Sequence, residues 1–357
     1  METRFIVVGI MNSSSKPREC LYTFNEDQIV SWAHNLGYRR LLIQAPDGIK
    51  RCIRPLLECL ESRGFEVALS ASHAWGGCDL ALNELKGVNF DAIVHIGHYS
   101  SVRFRAPDNA LFVPGYSRVD TTKAVERAAT LLDSEGIRKV GILTTVQHIT
   151  ELCKVKNLLA DYGIKSLTAK SPDPAMLEGM VIGCDVRAAE KLRGKVEGFL
   201  VVAGGIFHAL GVTLATGSFT VAADPYTGHA LKIEQEARRI VALRLFHLST
   251  ALDSRNALFI LSNKPGQKLS RRKVEKLLVY LKKKASLQLR VIVFDDIRGE
   301  ALRDYNTADF YINSACPRLV TDDPDIFPGP VVNLAEYLKV IRKGLDAYEP
   351  RLSVYAF

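Results

Sequence analysis

Short, solid apolar runs alternate along this chain with stretches whose apolar residues recur every third or fourth position. LLIQA (41–45), FEVALS (65–70), DAIVHIG (91–97) and LFVPGY (111–116) are runs of the first kind. They are short and bounded by turn residues, which predicts strands buried on both faces of a sheet. Residues 27–36 and 50–62 have helical spacing. In the second, Ile53, Leu56, Leu57 and Leu60 make one stripe, and Gly64 supplies the stop. A further run, FIVVGIM (5–11), follows Arg4. It is too short for a signal core and lacks a small-residue cleavage site, so it is read as a first strand.

The order then restarts twice. Helix 121–134 leads to VGILTT (140–145), a VQH loop, helix 149–161 closed by Gly163, and a weak strand KSLTA (165–169). A helix near 186–193, GFLVVAG (198–204) and FTVAADP (219–225) complete the second round. The third runs through helix 230–249, ALFILSN (257–263), a KPGQ loop, helix 270–284 and LRVIVFD (289–295). It ends with a short helix near 298–304, DFYINS (309–314), VVN (331–333) and a final helix. Strands alternating with amphipathic helices imply parallel sheets joined by right-handed crossovers. The expected fold is therefore α/β, with three tandem similar domains over residues 1–118, 119–228 and 229–357. Each is a four-stranded, mostly parallel sheet flanked by helices, and the three are arranged around a pseudo-threefold centre.

Composition narrows the class. The 357 residues are 47% hydrophobic and 24% charged, ordinary for a soluble globular protein, and no apolar run approaches a membrane span. The expected location is the cytoplasm, with no membrane partner. A net charge of +8 favours an acidic partner without identifying it. The basic stretch KLSRRKVEKLLVYLKKK (268–284) carries Val274, Leu277, Leu278 and Leu281 at helical spacing, so its lysines read as the solvated face of a core helix. Only Tyr280 interleaves for stacking, so direct nucleic-acid binding is not expected.

Seven cysteines, an odd and sparse set, exclude a secreted disulfide framework. Cys52, Cys59 and Cys153 fall on predicted helices and, with Cys20, read as small structural hydrophobes. Cys78, Cys184 and Cys316 differ, because each sits in a Gly- or Pro-flanked loop (GGCD, GCD, ACPR) beyond a predicted strand. That is the edge where α/β sheets bind ligands. Cys78 and Cys184 precede the next strand by 13 and 14 residues, whereas Cys316 follows the third strand of its round rather than the second. Three thiolates would leave a metal one open position. Zinc would take a fourth ligand, for which His73, His95, His98, His148 and His208 are candidates. An iron–sulfur cluster with one iron lacking a cysteine suits three thiolates better.

AWGGCDLA (74–81), GCDVRAAE (183–190), GGIFHALG (204–211), ADPYTG (223–228), INSACPRLVTDD (312–323) and PVVNLAEY (330–337), with the loop QAPDGIKR (44–51), are distinctive. Through them the chain resembles the archaeal-type diphthamide-synthesis 3-amino-3-carboxypropyltransferases over essentially its full length. The resemblance implies a radical enzyme using S-adenosylmethionine, outside the usual CxxxCxxC group, with a 4Fe–4S cluster held by Cys78, Cys184 and Cys316. It implies reductive cleavage of the Cγ–S bond and addition of the 3-amino-3-carboxypropyl radical to imidazole C2 of a histidine in translation elongation factor 2, the first step towards diphthamide. No catalytic residue is assigned beyond the cluster ligands. Candidates for contact with the cofactor are Asp47 and Gly48 in the first-strand loop, Gly204, Gly205 and His208, and Arg318, whose planar fork could pair with a carboxylate. A homodimer and an electron donor are expected partners. The alternatives are a quinolinate-synthase-like dehydratase, whose cysteine contexts differ, a non-catalytic scaffold, and a zinc-stabilised RNA-binding protein.

Overall fold

The computed structural model describes residues 20–100 and 104–350; the strand expected at 5–11 lies outside them. β1 (Tyr22–Thr23) precedes four parallel strands, β2 (Arg40–Gln44), β3 (Glu66–Leu69), β4 (Ala92–Gly97) and β5 (Ala110–Pro114), in sheet order β3-β2-β4-β5. β6 (Tyr116–Ser117) returns to pair antiparallel with β1. β7 (Lys139–Thr144), β8 (Lys165–Leu167), β9 (Gly198–Val202) and β10 (Phe219–Asp224) repeat the order as β8-β7-β9-β10. β11 (His229–Lys232) adds an antiparallel edge to β10. β12 (Asn256–Ser262), β13 (Gln288–Phe294), β14 (Phe310–Asn313) and β15 (Val331–Asn333) repeat it once more as β13-β12-β14-β15, all parallel. The second strand of each round thus lies at the edge and the first beside it, three times over.

Side-chain alternation feeds a separate core on each face of every sheet. Leu41 and Ile43 pack with Ile29, Leu56 and Leu60, while Leu42 between them packs with Leu80, Leu85 and Ile93. In β9, Phe199 and Val201 face one core and Leu200 and Val202 the other. Ala257 and Phe259 are likewise divided from Leu258 and Ile260. Solid apolar runs follow in the central strands, which are covered on both sides. The edge strands β3 and β13 stay partly exposed, with Leu69 at 39% and Val293 at 61%. Fully burying one such aliphatic side chain stabilises the fold by roughly 1.5–3 kcal/mol.

A polar device is also repeated. Just ahead of the third strand of each sheet stands a carboxylate that accepts hydrogen bonds from two backbone N–H groups at the start of the first strand. Asp91 accepts from Arg39 and Arg40, both at 2.8 Å. Glu197 accepts from Arg138 and Lys139 at 2.6 and 3.0 Å, and Asp309 from Arg255 and Asn256 at 3.2 and 2.9 Å. These donors favour the ionised carboxyl, and all three groups are held below their ordinary range chiefly by them.

Several predicted elements take different forms. The helix expected over 50–62 is two pieces, Asp47–Lys50 and Arg54–Ser62, because Pro55 lacks an N–H and is tolerated only in a first turn. The helix expected from 230 begins at Glu234, its first residues being taken by β11. Residues Phe207–Thr216, to which the pattern assigned no element, form a helix whose last eight residues are all buried.

The three units meet pairwise. Between the first and second, Tyr22 Oη donates to Tyr226 Oη at 2.9 Å and Gln147 Nε2 donates to Gly97 O at 2.9 Å. Between the first and third, Gly266 N donates to Cys78 O at 2.8 Å and Lys264 pairs with Asp79 at 2.7 Å. Between the second and third, the Arg318 guanidinium lies over the Phe207 ring, 4.0 Å from its centroid.

Candidate active site

Each distinctive cysteine stands beyond the C-terminal end of a strand and is half-buried. Cys78 follows β3, in a loop pressed against the turn after β12. Gln267 Nε2 approaches its Sγ at 3.7 Å, and a Cβ on Gly266 would overlap the cysteine's own Cβ, so only glycine lets the two loops pass this closely. Cys184 sits in a tight turn closed by reciprocal backbone hydrogen bonds between Ile182 and Asp185, 2.9 and 3.2 Å. A Cβ on the preceding Gly183 would run into the Phe207 ring. Cys316 follows β14; its carbonyl accepts from Asn313 Nδ2 at 2.9 Å and opens the short helix Arg318–Thr321. Phe207 thus joins two cysteine loops, carrying Gly183 on its ring edge and Arg318 on its face.

Among the described residues no three His, Cys, Asp or Glu side chains are arranged to hold one metal ion. A zinc site gathers its donors around a single ion. An iron–sulfur cluster asks for something different, because each cysteine ligates its own iron and the sulfurs stand apart by the width of the cluster. Three half-buried thiols on glycine- or proline-flanked loops suit that chemistry.

A cavity of about 340 Å³ opens between the first and second units. Gly97, Gly115 and Gly204 contribute close-packed wall, the last standing against Tyr226, 3.1 Å from where a Cβ would lie, while Gly48 lines the cavity with open space around its Cα. Tyr22, His98, Gln147, His148, His208 and Tyr226 supply the polar and aromatic wall. His148 meets the Tyr226 ring edge-on at 5.3 Å. Both nitrogens of His148, and Nδ1 of His208, are buried with no hydrogen-bond partner. Behind His98 runs a buried chain: His98 Nδ1 meets His95 Nε2 at 2.8 Å, and His95 Nδ1 meets Gln44 Oε1 at 2.9 Å. Gln44 Nε2 donates to Asp79 O at 2.7 Å, beside Cys78. Burial lowers His98, His148 and His208 to about 4, and His95 well below the ordinary histidine value. All four rings are neutral near pH 7.

The remaining sequence candidates fall at different depths. Gly48 and His208 line this cavity with Gly204, but Asp47 is half-exposed and engaged by Lys50 and His73. Gly205 has left-handed backbone, φ 69°, and donates to Asp224 Oδ2 at 3.1 Å. Arg318 pairs with Asp322 at 2.7 Å while stacking on Phe207. Gln147 and Tyr226 were not singled out from sequence, nor was the Gln44–His95–His98 chain. The signal was the density of polar residues in VQH and QAPDG immediately after apolar strands.

Fold and site together define a triplicated α/β protein with one cysteine loop on the ligand-binding edge of each unit and a histidine-lined cavity between two of them. The profile of the diphthamide synthesis protein family matches residues 45–349, and the chain belongs to that family. A 2-(3-amino-3-carboxypropyl)histidine synthase from Pyrococcus horikoshii is 33% identical over 317 residues, which is 88% of this chain and 90% of the relative. Subunit 1 of the human 2-(3-amino-3-carboxypropyl)histidine synthase is 23% identical, matching 90% of this chain and 72% of its own length. The crystal structure of Dph2 from Pyrococcus horikoshii with a 4Fe-4S cluster is 30% identical, with a TM-score of 0.79 over 92% of this chain and 93% of that one.

Proposed function

We propose that this protein transfers the 3-amino-3-carboxypropyl group of S-adenosylmethionine to a histidine of translation elongation factor 2, the first step of diphthamide biosynthesis. The observation that carries the reading is the placement of Cys78, Cys184 and Cys316, one per sheet, at the end where α/β sheets receive ligands. These cysteines would hold a 4Fe–4S cluster, with the three units disposed about a pseudo-threefold centre. Bound there, such a cluster supplies an electron and an iron without a cysteine, open to the sulfonium.

The chain's own residues have the positioning work. A sulfonium has three C–S bonds, and choosing one means fixing the substrate's orientation. Glycines at 48, 97, 115 and 204 bring backbone close to the cavity. Arg318, stacked and ion-paired, offers its remaining N–H groups to a carboxylate. The protein acts in the cytoplasm as a homodimer fed by a separate electron donor.

An anaerobic reaction tests the reading. Cluster-loaded, dithionite-reduced protein given S-adenosylmethionine should release methylthioadenosine and add an aminocarboxypropyl mass to the elongation factor's histidine. Release of 5′-deoxyadenosine would contradict it.

A further inference from the structure

Charge on this protein is concentrated on one helix. Arg271–Lys284 carries seven cations and a single carboxylate, Glu275, so it supplies +6 of the chain's net +8. Arg271 pairs with Glu275 at 2.8 Å. Among the described residues, Arg272, Lys273, Lys276, Lys282, Lys283 and Lys284 make no ion pair, and all six are exposed.

Folding accounts for only part of this charge. Lys282, Lys283 and Lys284 sit in the last turn, where the helix dipole favours cations. Arg271, Arg272 and Lys273 open the helix directly after its N-cap Ser270, where the same dipole disfavours them. Cations set against the dipole and left without enough carboxylates fit a negatively charged partner.

The position of that end says which partner. Gln267, four residues before Arg271, brings Nε2 to 3.7 Å from Cys78 Sγ, and Gly266 N donates to Cys78 O. Four residues of chain span at most about 14 Å, so the cationic turn stands close to the Cys78 loop. Charges lining the neighbouring groove between the first and third units balance, four cations against four carboxylates. The excess therefore belongs to the helix. On its outer face Val279 is 67% exposed, with Lys276 and Lys283 one turn to either side. An apolar centre inside a charged rim has the make-up of a protein interface. The helix's one aromatic ring, Tyr280, packs against the core with Arg342 over it at 5.2 Å, so no ring is left for stacking bases.

We propose that the helix Arg271–Lys284 is the docking surface for the electron donor, a small acidic protein with a low-potential one-electron centre. The assignment rests on the function proposed above. Arg271, Arg272 and Lys273 draw the donor's carboxylates towards the Cys78 side, and Val279 makes the apolar contact. The donor is oxidised by one electron and the protein's cluster reduced by one; no bond or proton moves.

Stopped-flow reduction of the cluster-loaded full chain tests it, with a pre-reduced acidic two-cluster ferredoxin as probe and dithionite as the small-molecule control. Wild-type reduction by ferredoxin should slow roughly tenfold between about 0.05 and 0.5 M salt. Arg272→Glu with Lys273→Glu should slow it roughly ten- to hundredfold at low salt while leaving the dithionite rate nearly unchanged. The melting temperature should stay equal or rise, since the new carboxylates suit a helix N-terminus. Arg193→Glu with Lys195→Glu removes the same charge from an exposed turn of the second unit and should leave the ferredoxin rate near wild type. Equal slowing by both reversals, or none by Arg272→Glu with Lys273→Glu, overturns the surface. Wild-type protein that dithionite reduces and ferredoxin does not overturns the surface and leaves the transferase intact. Salt-dependent binding of a single-stranded RNA that ferredoxin cannot displace overturns it in favour of a nucleic-acid surface. A cluster that dithionite cannot reduce overturns both the surface and the transferase.

Discussion

Individual residues in this protein are governed by what burial does to charge. His98, His148 and His208 are enclosed by protein except where their ring edges meet the cavity, and each is lowered from 6.5 to about 4. The unfolded chain therefore binds more protons than the folded one between those values. Stability should be level above pH 6.5 and should fall as pH drops towards 4, by up to about 1.4 kcal/mol per pH unit for each histidine. Below that, Asp91 and Asp309, whose carboxyls are lowered by backbone donors, extend the loss as they protonate. Urea midpoints measured from pH 7.5 to 4 check the sign; a midpoint that stayed constant or rose on acidification would contradict it.

At the level of elements, the spacing of apolar residues carried most of the fold. Ile53, Leu56 and Leu60 are buried as the stripe required, and Gly64 and Gly163 adopt the left-handed backbone expected at helix ends. What escaped has a physical reason. The helix Phe207–Thr216 is covered on all sides, so it has no polar face and no periodicity to read. β11 is a short edge strand with only Leu231 and Ala230 as apolar residues. The repeated carboxylate clamp was visible in FDAIV, VEGFLV and ADFYI, but only an alignment of the three rounds against each other would have exposed it. Glycine at loop crossings was also hard to value from sequence. Gly266→Ala would place a methyl group 2.8 Å from Cys78 O and over its Cβ. It should cost roughly 1–3 kcal/mol and displace the Cys78 loop, whereas Gly87→Ala, with open space around it, should be nearly silent. Thermal melts and iron content of the two variants provide the comparison.

Across the whole molecule, the three units are held by a few contacts at their ligand-binding edges, and these contacts also position the cysteines. Lys264 and Asp79 pair at 2.7 Å with 15% and 7% of their side chains exposed, directly beside Cys78. Burial raises the Asp79 carboxyl even against the lysine, so the aspartate depends on its partner to stay charged. Lys264→Met should destabilise the protein by roughly 3–5 kcal/mol, and adding Asp79→Asn should recover much of it, because the uncompensated charge is then gone. A double-mutant cycle in urea measures this; additive losses would mean the two residues act separately. The three cysteine contexts stood out in sequence because each is a glycine- or proline-flanked loop beyond an apolar strand. The cavity did not, since its walls come from segments as far apart as Tyr22 and Tyr226. The most direct test of the whole account is iron content after anaerobic reconstitution of single cysteine variants. Wild type, Cys52→Ala, Cys59→Ala and Cys153→Ala should each hold about four irons per chain. Cys78→Ala, Cys184→Ala and Cys316→Ala should each lose the intact cluster and its visible absorbance, and full retention in any of these three would contradict the proposed site.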